Sequence, residues 1–331
     1  MKKEKPMVSV VMPVYNAETT VARSIASVLE QAYNNFELIV VDDGSTDNTY
    51  NKCKQIADLD SRVRLFSKEN GGPGAAREYA MQYVCGDYIS FIDADDYYDN
   101  ILLTTVMDFF TKDEKCDIIE FNYREVDVHG KKMLVGDVDI INEVLTGDDS
   151  LKSYISQENT TNFLWNKVFK RKLFNKVVFP HLTAGEDSAV LTQLFFNSKK
   201  VVRIDMALYH YVQTKTSLVR APWSPRKLDQ IDAEKFINDF VLRNKPELSN
   251  YALQTSCSRL AWMCYELFSS DYREKKSNIK LFKKAYDTFY KSIDKNKEPY
   301  ISSSTMRRIG LWIFSFSPAL YYIIYRVRKA I

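Results

Sequence analysis

The chain has 331 residues, enough for about two domains, and its composition of 45% hydrophobic and 27% charged residues excludes a disordered or fibrous protein. The net charge of +3 is unevenly distributed, because residues 271–331 carry +9 and residues 1–270 carry −6. The five cysteines form no CxxC pair, so neither a zinc site nor a disulfide framework is indicated, and a reducing compartment is expected.

The first apolar segment, residues 8–14, has the length and β-branched composition of a buried strand. A turn over residues 13–16 follows, and then a helical pattern that continues through Leu29. The start of the chain superficially resembles a signal peptide. Its apolar run is short, is interrupted by Pro13 and precedes no small-residue cleavage site, so we expect the chain to stay in the cytoplasm.

Two further strand–helix pairs follow. Residues 36–41 are predicted as a second buried strand that ends in the polar segment 42–47, and residues 63–66 as a third strand that precedes the glycine-rich turn 70–74. This alternation predicts an α/β fold with a mostly parallel sheet and helices on both faces. The polar strand ends would then meet along one edge, which is where open α/β sheets bind ligands.

The fourth predicted strand, residues 88–92, leads directly into Asp93, Asp95 and Asp96. Crowded carboxylates repel one another unless a cation lies between them, and hard divalent cations bind oxygen ligands and bridge to phosphates. The cluster therefore predicts a metal–diphosphate site. One alternative is a solvated acidic turn that caps the next helix. Another is a dinucleotide-binding fingerprint at residues 70–74, although this turn lacks the third glycine and does not belong to the first strand–helix unit.

Four segments in this order resemble the successive signatures of family 2 glycosyltransferases, which are nucleotide-sugar enzymes of the GT-A fold. They are VMPVYN (residues 11–16), VDDGSTD (41–47), NGGPGAAR (70–77) and FIDADD (91–96). Each stands at or just after a predicted strand end. The resemblance covers residues 7 to about 215 and is much poorer beyond them.

The resemblance assigns nucleotide contacts to residues of all four segments. The residues that would bind the nucleotide are Pro13, Val14, Tyr15, Glu18, Asp43, Arg77 and Asp93. Among them, Asp43 would accept the imide N–H of uracil and Arg77 would lie against the nucleotide or its phosphates. Most relatives carry Asn directly after this arginine, where the present chain has Glu78, so the finer contacts of the turn are expected to differ.

The same resemblance implies a Mn²⁺ or Mg²⁺ cofactor. Asp95 would ligate the cation that bridges the diphosphate, and Asp93 would face both the ribose and the metal. His210, on the second of two predicted strands (201–205 and 207–212), is a candidate third ligand. The alternative for His210 is a packed strand residue.

The region between residues 100 and 181 is less regular. Residues 137–162 lack periodicity and are expected to form a loop near the acceptor. The following segment, 163–171, resembles the tryptophan–lysine segment that precedes the catalytic base of the family. Trp165 could stack on a sugar and Lys167 could reach a phosphate; an ordinary core tryptophan with surface lysines is the alternative.

Glu186 and Asp187 open a predicted helix directly after Gly185. The family places its general base at the Asp of this pair, so the resemblance implies that Asp187 is the base and that Glu186 orients it. The alternative is that both residues only cap the helix and interact with its dipole.

Beyond residue 221 the pattern becomes helical, with predicted helices at 225–243, 246–270 and 272–294. The domains are therefore predicted as a catalytic domain (1–221), a helical region (222–306) and a membrane-associating tail (307–331). In the tail an apolar, aromatic run is flanked by arginines; it is short for a membrane span and contains Pro318, which favours an in-plane anchor. A tail helix packed on its own domain is the alternative.

The sequence as a whole predicts a metal-dependent, inverting glycosyltransferase. The expected donor is a UDP-sugar and the expected acceptor is a hydroxyl of a growing, lipid-linked surface glycan, such as a capsule or exopolysaccharide. The expected location is the inner face of the cell membrane, with no nucleic-acid partner. The alternatives are a nucleotidyltransferase, which would need an early glycine-rich turn, and a non-catalytic carbohydrate-binding relative; a glycoside hydrolase would not require the Asp93–Asp96 cluster.

Overall fold

The computed structural model describes residues 5–133, 140–213, 224–269 and 272–292, and five positions between 312 and 320. The chain forms two compact units. The first unit comprises Met1–Tyr154, Glu158–His181 and Val190–Ser217, and the second comprises Ile155–Gln157, Leu182–Ala189 and Leu218–Ile331. The segment that carries Gly185, Glu186 and Asp187 therefore belongs to the mainly helical second unit and not to the unit that contains the sheet.

The described part of the first unit contains a nine-stranded sheet. Its strands are β1 (Val8–Val14), β2 (Phe36–Asp42), β3 (Val63–Ser67), β4 (Tyr88–Phe91), β5 (Tyr97–Tyr98), β6 (Ile118–Val126), β7 (Glu143–Thr146), β8 (Lys167–Lys170) and β9 (Lys200–Val212). The spatial order is β3-β2-β1-β4-β8-β6-β9-β5, and β7 pairs with β9. Strands β1 to β4 pair in parallel, whereas β8 runs antiparallel to both β4 and β6.

Helices connect the parallel strands, as the sequence pattern predicts, so the α/β prediction is confirmed. The helices up to residue 197 are α1 (Val21–Leu29), α2 (Thr49–Ala57), α3 (Pro73–Met81), α4 (Leu102–Lys112), α5 (Asp148–Ser156) and α6 (Glu186–Asn197). Every residue of β2 is buried, which explains the continuous apolar run from Leu38 to Val41, while the buried Glu37 pairs with Arg64. The register pairs Val14 with Asp42 and Asp42 with Ser67, so β1, β2 and β3 end at one edge of the sheet.

Two expectations for the middle of the chain need correction. Residues 143–156, expected as part of an irregular loop, form β7 and α5. Residues 200–212, expected as two strands, form the single strand β9, because a shift in register against β6 absorbs the interruption. At that shift the side-chain amide of Asn122 donates to the carboxylate of Asp205 at 2.8 Å.

The second unit contains α7 (Asp229–Asn244), α8 (Ser249–Ser269) and α9 (Tyr272–Ser292), which follow the three predicted helices closely. None of the helices in the described ranges is long and apolar enough to cross a membrane. Most of the predicted tail, including its arginines and Pro318, lies outside the described residues. The described positions include Trp312, Phe316 and Leu320, whose side chains are exposed.

Candidate active site

The loops after β1 and β2 are joined by hydrogen bonds. Asn16, in the left-handed region at φ 47°, accepts from the backbone N–H of Thr46 at 2.8 Å, and its own N–H donates to Oγ of Ser45 at 3.0 Å. Glu18 accepts from the N–H of Asn48 at 3.1 Å. The first two sequence motifs thus form one continuous surface at the edge of the sheet.

The residues of the first motif differ in accessibility. The ring of Tyr15 is 51% exposed, Pro13 is half-buried and Val14 is buried in the core. Because only an accessible ring can stack on a base, Tyr15 is the aromatic residue of this turn that could stack on one. Val14 can shape the site only through its backbone.

Asp43 is buried and organises the glycine-rich turn. Its carboxylate accepts from Nζ of Lys68 at 2.7 Å, from the N–H of Gly71 at 3.0 Å and from the N–H of Gly72 at 2.7 Å. Gly72 has φ +87°, which a side chain would disfavour, and Pro73 starts α3 immediately after it. Sequence reasoning missed Lys68; the signal available was that a buried carboxylate requires a cationic or N–H partner.

The third and fourth motifs meet in an ion pair. Arg77, on α3 and almost fully buried, lies with Nη2 at 3.0 Å from Oδ1 of Asp93, which is half-buried. A guanidinium directed at the end of β4 provides fixed positive charge where the sequence predicts a diphosphate. The ion pair brings the third and fourth motifs together at the edge of the sheet.

The carboxylates after β4 are electrostatically strained. Burial, reinforced by the negative charge of Asp93, raises the pKa of Asp95 to about 6. Asp96 is fully buried, and burial together with the charges of Asp95 and Asp93 raises the pKa of its carboxyl well above the ordinary value. The Asp96 carboxyl contacts the hydroxyl of Tyr209 at 2.8 Å and the N–H of Val212 at 2.7 Å, which fastens the acidic turn to β9.

A divalent cation would relieve this repulsion. Among the described residues, no group of three or more His, Cys, Asp or Glu side chains is arranged to hold a metal. A cation that takes most of its ligands from a substrate diphosphate and water needs only one or two protein carboxylates. The raised pKa of Asp95 and its repulsion from Asp93 therefore fit Mg²⁺ or Mn²⁺ bound together with a nucleotide diphosphate.

His210, the candidate third metal ligand, packs within the sheet, and its role at the metal stays a prediction. His210 lies opposite Tyr97 in the β5–β9 pair, and the two rings stack with centroids 4.4 Å apart. Its Nε2 is 3.7 Å from Asp99. Burial, followed by the charge of Arg124, lowers the pKa of His210, so this packing agrees with the alternative of a strand residue.

Trp165 and Lys167 also occupy core positions, and their assignments to sugar stacking and phosphate binding stay predictions. The indole is 2% exposed and stacks on Tyr209 with centroids 4.3 Å apart. Lys167 is completely buried, and its Nζ lies 3.0 Å from the carboxylate of Glu120. Neither side chain presents a surface to a ligand, because both complete the packing of the sheet.

Glu120 is the centre of a buried row of charges across three strands. In the register of the sheet it lies opposite Lys167 of β8 on one side and Arg203 of β9 on the other. Arg203 donates from Nε to Glu120 at 3.0 Å. Burial alone would raise the pKa of the Glu120 carboxyl. The positive charges of Lys167 and Arg203 outweigh burial and lower this pKa below its ordinary value.

Glu186 and Asp187 form the first turn of α6, directly after Gly185 at φ +81°. Both side chains are half-buried, so each retains an accessible surface. Their position at a helix N-terminus favours the ionised form of a carboxylate, which is the form that a general base requires.

Earlier in the chain, Nε2 of His181 lies 2.7 Å from the carboxylate of Glu78, a pairing that the sequence did not predict.

Comparison with known proteins identifies the family. Residues 9–178 match the family described as Glycosyl transferase family 2. Glycosyltransferase GlyG of Streptococcus pneumoniae is 30% identical over 252 residues, which cover 71% of this chain and 81% of that protein. Glycosyltransferase GlyA of the same species is 28% identical over 240 residues, covering 66% of this chain but only 32% of that longer protein.

A third relative has a more specific name. It is the UDP-Glc:alpha-D-GlcNAc-diphosphoundecaprenol beta-1,3-glucosyltransferase WfgD of Escherichia coli, 38% identical over 131 residues. This match covers 39% of the present chain and 49% of WfgD.

Solved structures support the fold. The structure of Staphylococcus aureus TarS 1-349 in complex with UDP-GlcNAc superposes with a TM-score of 0.74 at 20% identity, covering 98% of this chain and 91% of that chain. The mannosyltransferase PcManGT of Pyrobaculum calidifontis, in complex with GDP-Man and Mn²⁺, gives a TM-score of 0.57 at 16% identity, covering 98% and 87%. The fold is thus GT-A, and the family match removes the nucleotidyltransferase and glycoside hydrolase alternatives. The chain is a glycosyltransferase and belongs to family 2.

Proposed function

We propose that this glycosyltransferase transfers a sugar from a UDP-sugar to a hydroxyl of a growing, lipid-linked surface glycan of the capsule or exopolysaccharide type, with inversion at the anomeric carbon. The observation that carries the donor half of the proposal is the meeting of Arg77, Asp93 and the strained Asp95 at one edge of the sheet. The UDP-GlcNAc complex of TarS supports a UDP-sugar, and the name of WfgD supports a lipid-linked acceptor.

The donor would bind across the loops that end the parallel strands. Tyr15 offers an exposed ring to the base, and the polar groups of the turn that Asp43 organises offer hydrogen bonds to uracil. Arg77 supplies positive charge beside the diphosphate. Asp95 and Asp93 would hold Mg²⁺ or Mn²⁺, which as a Lewis acid stabilises the charge on the departing diphosphate.

The acceptor would be activated by Asp187. A carboxylate within hydrogen-bond reach of the acceptor hydroxyl can take its proton while the oxygen attacks the anomeric carbon, and Glu186 would help to orient it. A single in-line displacement of this kind inverts the configuration of the sugar. No covalent sugar–protein intermediate is then formed, so the two carboxylates after Gly185 need only move a proton.

The experiment that tests the reaction follows UDP release and transfer from a panel of UDP-sugars to lipid-linked acceptors, with Mn²⁺, with Mg²⁺ and with EDTA. The proposal expects transfer with a divalent cation, its loss in EDTA and in Asp95→Asn, and a product of inverted configuration. Asp108→Asn, an exposed carboxylate on α4, is the matched control and should retain activity. Full transfer in EDTA would refute the metal assignment, and retention of configuration would refute the single displacement.

We also propose that the C-terminal part places the enzyme peripherally at the inner, cytoplasmic face of the cell membrane. Residues 271–331 carry +9, which would attract anionic lipid, while residues 1–270 carry −6. The side chains of Trp312, Phe316 and Leu320, spaced four residues apart, are exposed and suit insertion at an interface. Deletion of residues 307–331 should release the protein from anionic liposomes and spare transfer to a soluble acceptor analogue; unfolding of the shortened protein would contradict the proposal.

A further inference from the structure

The turn before Asp187 is fixed by the first helix of the helical unit. Asp229, the first residue of α7, accepts two hydrogen bonds on the same oxygen, one from the backbone N–H of Thr183 and one from its hydroxyl, each at 2.7 Å. These bonds hold the backbone of the turn four residues before Asp187 in the chain.

Gly185 makes a second, steric contact with the same helix. A Cβ atom added to Gly185 would lie 2.7 Å from Cβ of Ala233, a clash that a methyl group on the helix cannot relieve, and 2.9 Å from Oε1 of the more flexible Gln230 side chain. The glycine is thus required twice, for its φ of +81° and for direct packing of its backbone on α7. The next residues along the chain are Glu186 and Asp187.

The face of α7 that receives the turn is itself anchored. Gln230 donates to Glu234 at 2.8 Å, and the buried Glu234 accepts from Oγ of Ser256 at 2.6 Å and from Arg259 at 2.7 Å. Ser256 and Arg259 belong to α8. A charge-assisted network therefore links the surface beneath Gly185 to the body of the helical unit.

We propose that the helical unit is a positioning device for the general base, and that Asp229 sets the direction of the Asp187 carboxylate through Thr183 and Gly185. The inference rests on the proposed role of Asp187. A base works only within hydrogen-bond reach of the acceptor hydroxyl, and a displacement of about 1 Å can cost about 100-fold in rate. The helical unit thereby contributes to transfer in addition to any role at the membrane.

The test compares Asp229→Ala and Thr183→Val with the matched control Asp232→Ala. Asp232 is the other acidic residue in the first turn of α7, so its loss alters the helix dipole similarly, and it is exposed. We expect kcat for transfer to fall roughly 10- to 100-fold in Asp229→Ala, and less in Thr183→Val, in which the backbone N–H remains. Donor KM, UDP affinity and the melting temperature should stay close to those of Asp232→Ala. Asp229→Asn, whose amide oxygen can accept the same two hydrogen bonds, should recover most of the activity.

A double substitution separates positioning from mere packing. If Asp229 acts through Asp187, Asp229→Ala combined with Asp187→Asn should be no slower than Asp187→Asn alone, because the positioned group is already lost. The inference would be overturned if the rate losses of the two single substitutions multiplied in the double variant. It would also be overturned if the kcat of Asp229→Ala stayed within twofold of the control while Asp187→Asn was inactive. Either result would leave the proposed function intact. Full activity of Asp187→Asn would instead refute the base assignment itself.

Discussion

The strain at Asp95 leads to an unusual prediction, namely that a substitution which removes activity makes the metal-free protein more stable. Asp95→Asn replaces a carboxylate whose pKa burial and Asp93 raise from 3.8 to about 6. A raised carboxyl pKa means that the native protein holds its proton to higher pH than the unfolded chain does. Stability is therefore lost as the pH rises from about 4 to about 6, and the full cost is present above that window.

The shift in pKa corresponds to about 3 kcal/mol at neutral pH, and relaxation around the charge reduces this to about 1–3 kcal/mol. Since about 1 kcal/mol changes the melting temperature of a domain of this size by about 2–4 °C, Asp95→Asn should melt several degrees higher than the wild type at pH 7.5 in EDTA. At pH 4.5 the difference should shrink to about a third of its value at pH 7.5, because the native carboxyl is then protonated and only the unfolded chain has begun to ionise.

Differential scanning calorimetry in EDTA at both pH values measures this difference, with Asp108→Asn as a control that should match the wild type. Addition of Mn²⁺ and UDP should raise the melting temperature of the wild type more than that of Asp95→Asn. Equal melting temperatures at pH 7.5, or an increase that is the same at pH 4.5, would show that Asp95 is not strained as described.

Three further substitutions test other parts of the site. Asp187→Asn should lower transfer by roughly 10²–10⁴-fold while UDP still binds, and loss of UDP binding as well would indicate a capping role. Lys68→Met leaves the buried Asp43 without its cationic partner, so the affinity for UDP measured by isothermal titration calorimetry should fall. An unchanged affinity would show that the Lys68–Asp43 ion pair does not contribute to donor binding. Trp165→Ala should cost about 3–5 kcal/mol of unfolding free energy, because it empties a buried aromatic site; a change confined to acceptor KM would support the sugar-stacking assignment instead.

The sequence predicts the parallel half of the fold well, because the information is local. Each of the strands β1 to β4 is a mainly apolar segment bounded by polar or glycine-rich residues, and parallel pairing brings those ends to one edge. The crowding of Asp93, Asp95 and Asp96 follows from their positions in one motif, and the sequence predicts the shared sheet edge on which Arg77 meets Asp93, although not the ion pair itself.

The remainder depends on contacts that are distant in sequence. Lys167 reads as a surface lysine because Glu120, the carboxylate that balances its buried charge, lies on another strand. His210 reads as a possible ligand because only the pairing of β5 with β9 reveals that its ring stacks on Tyr97. The break in pattern near Asp205 suggests two strands, since a register shift within one strand leaves the same sequence signal.

The buried row of charges across β8, β6 and β9 has a consequence for how the sheet is assembled. Strand β8 has only four residues, yet it connects the parallel half of the sheet to β6. A slip of two residues would keep every apolar side chain on its proper face, so hydrophobic patterning cannot prevent it. The same slip would separate Lys167 from Glu120 and leave buried charges unpaired, at a cost of about 3–5 kcal/mol. The pairing of Glu120 with Lys167 and Arg203 therefore selects one strand register among those that the apolar residues alone would accept. It keeps the two halves of the sheet in that register.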